Sequence, residues 1–297
     1  MNAGLVIRAL QPGCSEYPAA LAGIAEAPDP LYVIGDSSCL SDAPQGTVAI
    51  VGTRDASEYG VRVAQALGRA FAEAGAVVVS GLARGIDSAA HRGALEGGGR
   101  TVAVLGTGPD VPYPAGNRRL HGQIAKDGLV ISENPPGRHA YKGCFPRRNR
   151  LIAALSRLTI VVEAPHKSGA LNTATQALEL GRVVAAVPGH LGQPRCEGSN
   201  TLLRDGAHVL ASVDDALALL GVSRKRTVAY VSGGADADVW DLIGSGCRTV
   251  DRIAEDSGRE IGEVAAAVSR LEITGLVAVG SDGTIHPTLA VDGSGDR

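Results

Sequence analysis

The chain has 297 residues, is 44% hydrophobic and carries a formal net charge of −3, which allows one domain of about 200 residues plus a smaller one and gives no global sign of a nucleic-acid binder. No apolar run approaches the roughly 20 residues of a membrane span, and MNAGLVIRALQPG has neither a long apolar core nor a convincing cleavage site, so a soluble, cytoplasmic protein without membrane contact is expected. Cys14, Cys39, Cys144, Cys196 and Cys247 are odd in number, scattered and without a CxxC pair, which argues against a disulfide framework or a zinc site.

Residues 1–46 read as an N-terminal extension partly packed on the core, in which Glu16 to Gly35 forms a short helix and a Pro-rich extended approach to a sheet. From Thr47 to Leu220 strand-like and helix-like runs alternate. Val48 to Gly52 is a β-branched run, Glu58 to Ala74 is amphipathic, and further strands are expected at Ala76 to Ser80, Thr101 to Gly106, Leu129 to Glu133, Leu158 to Ala164 and Val183 to Gly189. Continuous apolar strands separated by helices make a mainly parallel sheet covered on both faces. Residues 47–222 are therefore expected to be a doubly wound, Rossmann-like α/β domain that binds ligands at the carboxyl ends of its strands.

Residues 223–234 are polar, aperiodic and read as a linker. Residues 235–290 read as three short helices and a hairpin turning near Asp282-Gly283, the order of a winged helix, and 291–297 as a disordered tail. From Ser223 onward eight Lys and Arg face twelve Asp and Glu. That tail is acidic, so the remainder is near neutral and its basic residues are concentrated rather than spread.

The concentration is at FPRRNRLIAALS, Phe145 to Ser156, where Arg147, Arg148 and Arg150 arrive together with Asn149, flanked by Arg138, Lys142 and Arg157. No Asp or Glu lies between Glu133 and Glu163. A solvated basic face is one reading of such a cluster, an anion site the other. Four strand-end loops favour the second: Gly52-Thr53-Arg54; Ser80-Gly81-Leu82-Ala83-Arg84-Gly85-Ile86-Asp87; Gly106-Thr107-Gly108; and Lys167-Ser168-Gly169 before a helix from Ala170 to Leu180. Backbone amides and helix N-termini in such loops hold phosphate. Singly, each is a tight connection or a surface charge, and Asp87 or Ser88 reads as a helix cap. Neither a GxxxxGK[ST] loop nor a GxGxxG is present, which disfavours nucleotide hydrolysis and dinucleotide redox chemistry. Cys144, without a His and Asn partner pattern, reads as a packing residue.

In order, VAIVGTR, SGLARGIDSAAHRGAL, VLGTGPDVPYPAGN, FPRRNRLIAALS, VVEAPHKSGALNTATQALELGR, VPG and EGSNTLLRDGAHV resemble the DprA/Smf family of DNA-processing proteins. The resemblance covers roughly Glu16 to Pro287. It implies an extended Rossmann fold that binds single-stranded DNA, dimerises through that domain and loads RecA on incoming DNA in natural transformation. Implied phosphate ligands are Gly52, Thr53, Arg54, Ser80, Gly81, Arg84, Gly85, Gly106, Phe145, Arg147, Arg148, Asn149, Arg150, Lys167, Ser168 and Gly169, with no catalytic residue, metal or cofactor. Thr53 stands where the family commonly has Ser, Asn172 where an apolar residue is frequent, and the helical domain that precedes the core in many members is not expected here.

Backbone contacts carry no base information, so sequence-independent binding is expected. With 3% aromatic residues, stacking is confined to positions such as Tyr141 and Phe145. The alternative is a nucleoside monophosphate-processing enzyme of the lysine-decarboxylase-like Rossmann type, but His166 to Gln176 lacks the Glu of the PGGxGTxxE loop; Glu163 and Glu179 lie nearby and read as structural. Duplex binding by the winged helix is a third reading, disfavoured because Ile261 to Leu271 offers Arg270 against Glu263.

Overall fold

The computed structural model describes residues 6–41, 46–223, 235–273, 276–280 and 282–287. The expected linker from residue 224 and the expected tail at 291–297 lie outside the described residues. The chain divides into two compact units, Met1–Lys225 and Arg226–Arg297.

In the first unit the elements run β1 (Arg8–Leu10), α1 (Ala19–Ala22), β2 (Leu31–Gly35), α2 (Ser38–Ser41), β3 (Thr47–Val51), α3 (Glu58–Glu73), β4 (Val77–Ser80), α4 (Ile86–Glu96) and β5 (Thr101–Leu105). They continue as α5 (Arg118–Asp127), β6 (Leu129–Ser132), α6 (Cys144–Ala154), β7 (Leu158–Val161), α7 (Gly169–Glu179), β8 (Val183–Ala186), α8 (Glu197–Arg204), β9 (His208–Val209) and α9 (Val213–Leu220). One sheet results, in the order β1-β2-β6-β5-β4-β3-β7-β8-β9. Strands β3 to β9 pair in parallel; β2 joins β6, and β1 joins β2, antiparallel. The extension thus supplies two antiparallel strands to a mainly parallel sheet, where the sequence suggested only an extended approach. From β3 the chain winds outward through β4 and β5 to β6, then returns to lay β7 on the other side of β3. That reversal leaves a crevice at the carboxyl ends of β3 and β7, the usual ligand position in open α/β sheets.

Both faces of the sheet are buried, as the continuous apolar strands predict. In β3, Val48 and Ile50 face α3 and α4 while Ala49 and Val51 face the side of α6 and α7. Helix α3 starts where the Ser57 hydroxyl accepts the Gly60 amide at 3.0 Å and buries Ala64, Leu67, Ala70 and Phe71 at helical spacing. Burying Phe71 alone contributes roughly 2–3 kcal/mol. On α4, His91 is fully buried. The Thr101 hydroxyl donates to the Val78 carbonyl at 2.7 Å and so accepts from His91 Nδ1 at 2.7 Å. This leaves Nε2 bare and without a partner among the described residues. Burial pushes the imidazole pKa down to about 3.

The second unit comprises α10 (Ala235–Gly244), α11 (Val250–Ser257), α12 (Ile261–Ile273) and the antiparallel pair β10 (Val277–Val279) and β11 (Ile285–Pro287). Helix α11 begins at Thr249, whose hydroxyl accepts the Arg252 amide. Val239, Ile243, Ile253, Val264, Val268 and Leu271 form a separate small core. The unit is a winged helix with its hairpin turning at Gly283, φ 79°.

Candidate nucleic-acid interface

The crevice is built by three loops that hold one another. After β3, the Thr53 amide donates to the Glu163 carbonyl beyond β7 at 2.7 Å, and the Thr53 carbonyl accepts the Ile86 amide at 3.3 Å. Gly52 lies against Ile86 and the Glu163 backbone. Gly85 has φ 74°, and a Cβ there would collide with the Thr53 carbonyl, so only glycine closes this loop against its neighbour. Between the loops lies a cavity of about 430 Å³ whose wall includes Thr53, Arg54, Asp87, Asn149, Ser168 and Thr173. A second cavity of about 220 Å³ adjoins it, sharing Arg54, Ala83, Phe145 and Arg148 and adding Gly81, Arg84, Tyr113 and Pro114. Arg54 is exposed and its guanidinium lies 5.1 Å from the centre of the Phe145 ring, a cation–π arrangement. Phe145 in turn meets Tyr113 with ring centres 5.0 Å apart.

Arg148 has a different place from the other arginines of its cluster. It is 4% exposed, and its Nη1 donates to the Gly81 carbonyl at 2.7 Å and to the Val104 carbonyl. Its Nε donates to Asn149 Oδ1 at 3.3 Å. A Cβ at Gly81 would strike the guanidinium. The carboxylate of Asp87, 6% exposed, accepts the amides of Gly81 at 3.2 Å and Ala83 at 3.4 Å. Burial pushes the Asp87 carboxyl up against the pull of Arg148 and the two amides. Burial likewise lowers the Arg148 pKa to about 10, with Asp87 opposing. The pair clamps the loop from Ser80 to Asp87 and holds Leu82 at φ 57°. Asp87 therefore braces the loop from inside α4; the N-cap position is Gly85, and Ser88 donates its hydroxyl to the Ala83 carbonyl.

The remaining expected ligands separate. Arg147 and Arg150 turn away to one carboxylate, Glu133, at 3.3 and 2.5 Å, and neither lines the two cavities. On a helix, neighbours at 100° per residue cannot share a face with Arg148. The Ser80 hydroxyl is fully buried and donates to the Ile50 carbonyl at 2.7 Å, stitching β4 to β3. Gly106 is buried beneath Phe145 and the start of α6. Asn149 ties α6 to α7 through the Gly169 carbonyl at 3.0 Å and Asn172 at 3.2 Å. Ser168 and Gly169 line the larger cavity, and the Ser168 hydroxyl caps α7 by accepting the Leu171 amide at 3.3 Å. Lys167, just before them, is exposed and left-handed at φ 59°. Tyr113 and Thr173 join the walls although sequence reasoning passed over them; Tyr113 lies in the loop after β5, a strand-end position that could have marked it. Among the described residues no group of three His, Cys, Asp or Glu could hold a metal, and no helix is long and apolar enough to cross a membrane.

A family model described as DNA recombination-mediator protein A matches residues 8–221, and the DprA winged helix domain matches residues 231–283. A structure of DNA processing protein A from Streptococcus pneumoniae is 42% identical with a TM-score of 0.67, covering 71% of this chain and 74% of that one. DNA processing protein A from Helicobacter pylori, whose structure concerns its single-stranded DNA binding mode, is 32% identical with a TM-score of 0.67, covering 74% of this chain and 98% of that one. Protein Smf of Escherichia coli is 34% identical over 93% of this chain and 77% of its own length. Some relatives are longer: the chain spans 65% of the length of Mycobacterium tuberculosis relatives that are 42% identical over 83% of this chain. With matched models from the first strand into the winged-helix hairpin, the chain belongs to the DNA recombination-mediator protein A family, the DprA/Smf proteins.

Proposed function

We propose that the chain binds single-stranded DNA through its phosphate backbone at the crevice, independently of sequence. One observation carries the reading: Arg54, Arg84 and Lys167 project, exposed, from loops after β3, β4 and β7, and none has a carboxylate partner among the described residues. Unpaired cations around glycine-rich loops attract a polyanion and release its counterions. A recess walled by loops suits a splayed strand rather than a duplex. The Helicobacter pylori relative studied for single-stranded DNA binding supports the same assignment. Arg148 enters this reading as the residue that shapes the loop, while Arg147, Arg150 and Ser80 contribute through the fold.

The proposal extends to protection of incoming DNA and loading of RecA in the cytoplasm, which the family resemblance supports. It extends also to a homodimer, for which the short edge strand β9, with Val209 56% exposed beside α9, offers a pairing surface. The domain division is proposed as an N-terminal extension to residue 46, a DNA-binding domain to 222, a linker to 234 and a winged helix to 290. A hydrolytic role gains no support from the acids. Glu163 is 3% exposed and accepts the Ser57 amide at 2.9 Å and the Ser57 hydroxyl, and Glu179 is exposed and accepts from Gln176 at 2.9 Å. Gel shifts with single- and double-stranded DNA across a salt series test the reading. Tighter binding of the single strand with a steep salt dependence is expected; equal or tighter duplex binding at matched salt overturns it.

A further inference from the structure

The smaller cavity continues the site toward a basic ridge that the crevice alone does not include. Tyr113 is 41% exposed on its wall. The nine-tenths buried Arg148 also faces this cavity, and no hydrogen bond among the described residues reaches its Nη2. Beyond Pro114 a single 3-10 turn, Ala115–Asn117, leads into the ten residues of α5. Asn117 Nδ2 donates to the Leu82 carbonyl at 2.8 Å and to Ser88 Oγ at 2.9 Å, fixing the start of α5 to the loop that carries Arg84. Helix α5 then opens with Arg118 and Arg119, both exposed, without an acid in its first turn. Neither forms an ion pair among the described residues. Two cations at the positive pole of a helix oppose its dipole and gain nothing from the fold. Together with an Arg148 donor that faces the cavity without a hydrogen bond among the described residues and an aromatic wall, they make a surface suited to an anion.

We propose that a single strand held in the crevice passes over Tyr113 and sets its next phosphates on Arg118 and Arg119, so that the binding surface spans both cavities and the N-terminus of α5. This rests on the single-stranded DNA reading above. Its test is fluorescence anisotropy of the full chain with oligothymidylates of about 4 and about 16 nucleotides over a salt series. The double variant Arg118→Gln/Arg119→Gln is expected to bind the longer strand about tenfold more weakly, with a salt slope smaller by about 1.4, and to bind the shorter strand as the wild type does. Tyr113→Ala is expected to weaken the longer strand without changing its salt slope. The control Arg62→Gln/Arg69→Gln makes the same charge change on exposed positions of α3 and is expected to match the wild type. An unchanged slope and affinity in the Arg118/Arg119 variant, an equal loss at both lengths, or the same loss in the control overturns the ridge while leaving the crevice standing. Absence of binding by the wild type at both lengths overturns the crevice and the ridge together.

Discussion

Four arginines around the crevice of the first unit do the opposite of the arginines described in the winged helix. In the winged helix they are engaged by acids: Arg252 with Glu255 and Asp256 at 3.1 Å each, Arg259 with Asp238, and Arg270 with Asp236 at 2.5 Å. Arg248 donates to the Ile243 and Cys247 carbonyls at 2.6 and 3.0 Å. In the first unit Arg54, Arg84, Arg118 and Arg119 have no such partner among the described residues. A count of basic residues therefore says little about anion binding; what matters is whether each charge has already been answered within the fold. The acidic winged helix spends its described cations on its own surface pairs, each worth little to stability.

The largest expected effect breaks this contrast from inside the crevice. Arg148→Ala removes the buried donor to the Gly81 and Val104 carbonyls and a positive charge that offsets the burial of Asp87, and should destabilise the first unit by about 3 kcal/mol, read by thermal or denaturant unfolding. Adding Asp87→Asn should recover part of the loss, because the two sites are coupled. Independent, additive effects would show that the pair does not act as one clamp.

Acid separates the units next. The unfolded chain protonates His91 near pH 6.5, while in the fold its pKa is about 3. Between those values the unfolded state binds more protons, so stability falls as pH falls through the window, by about 2 kcal/mol at pH 5. The second unit has no buried histidine among its described residues, so its unfolding transition should move less between pH 7 and pH 5. A first unit whose stability is flat across this range, or one whose acid dependence is undiminished by His91→Gln, contradicts the assignment; burial lowers the His121 imidazole too, so a smaller acid dependence remains in that variant.

Smaller again, Arg54→Ala and Lys167→Ala should each weaken single-stranded DNA binding about tenfold and lower the salt slope by about 0.7, at unchanged unfolding temperature. Wild-type affinity and slope in both would move the DNA elsewhere. The smallest effects are the counterparts: Arg252→Ala in the winged helix and Glu179→Ala on α7 should each leave affinity within about twofold, since one charge is already paired and the other only meets Gln176. A tenfold loss on Arg252→Ala would bring the winged helix into the binding surface.

The apolar runs made β3 to β8 readable in the sequence, because strands buried on both faces leave no polar interruption. Strands β1 and β9, of three and two residues, are too short to show a period, and β2 looked merely extended because its pairing with β6 is decided some hundred residues away. At the site, loops announced themselves: Thr53, Arg54, Arg84, Ser168 and Gly169 follow strands and remain at the crevice. The FPRRNR cluster misled where proximity in sequence stood for proximity in space. Arg148 sits on a different face of α6 from Arg147 and Arg150, which are three residues apart and share Glu133 as their partner. The buried role of Arg148 had no local signal, since it depends on the Gly81 and Val104 carbonyls far away in the chain, whereas Asp87 accepts amides of its own loop, where a helix cap is the simpler reading.

Lys167 holds a backbone that suits another residue. At φ 59° a lysine costs about 1 kcal/mol that glycine would not, so Lys167→Gly should leave a more stable chain with a weaker hold on a polyanion. On the proposed reading of the crevice, the residue that folds best at this position and the residue that binds best are different. Selection or engineering for thermal stability alone would drift away from DNA binding here, through a change that looks harmless in any assay of folding.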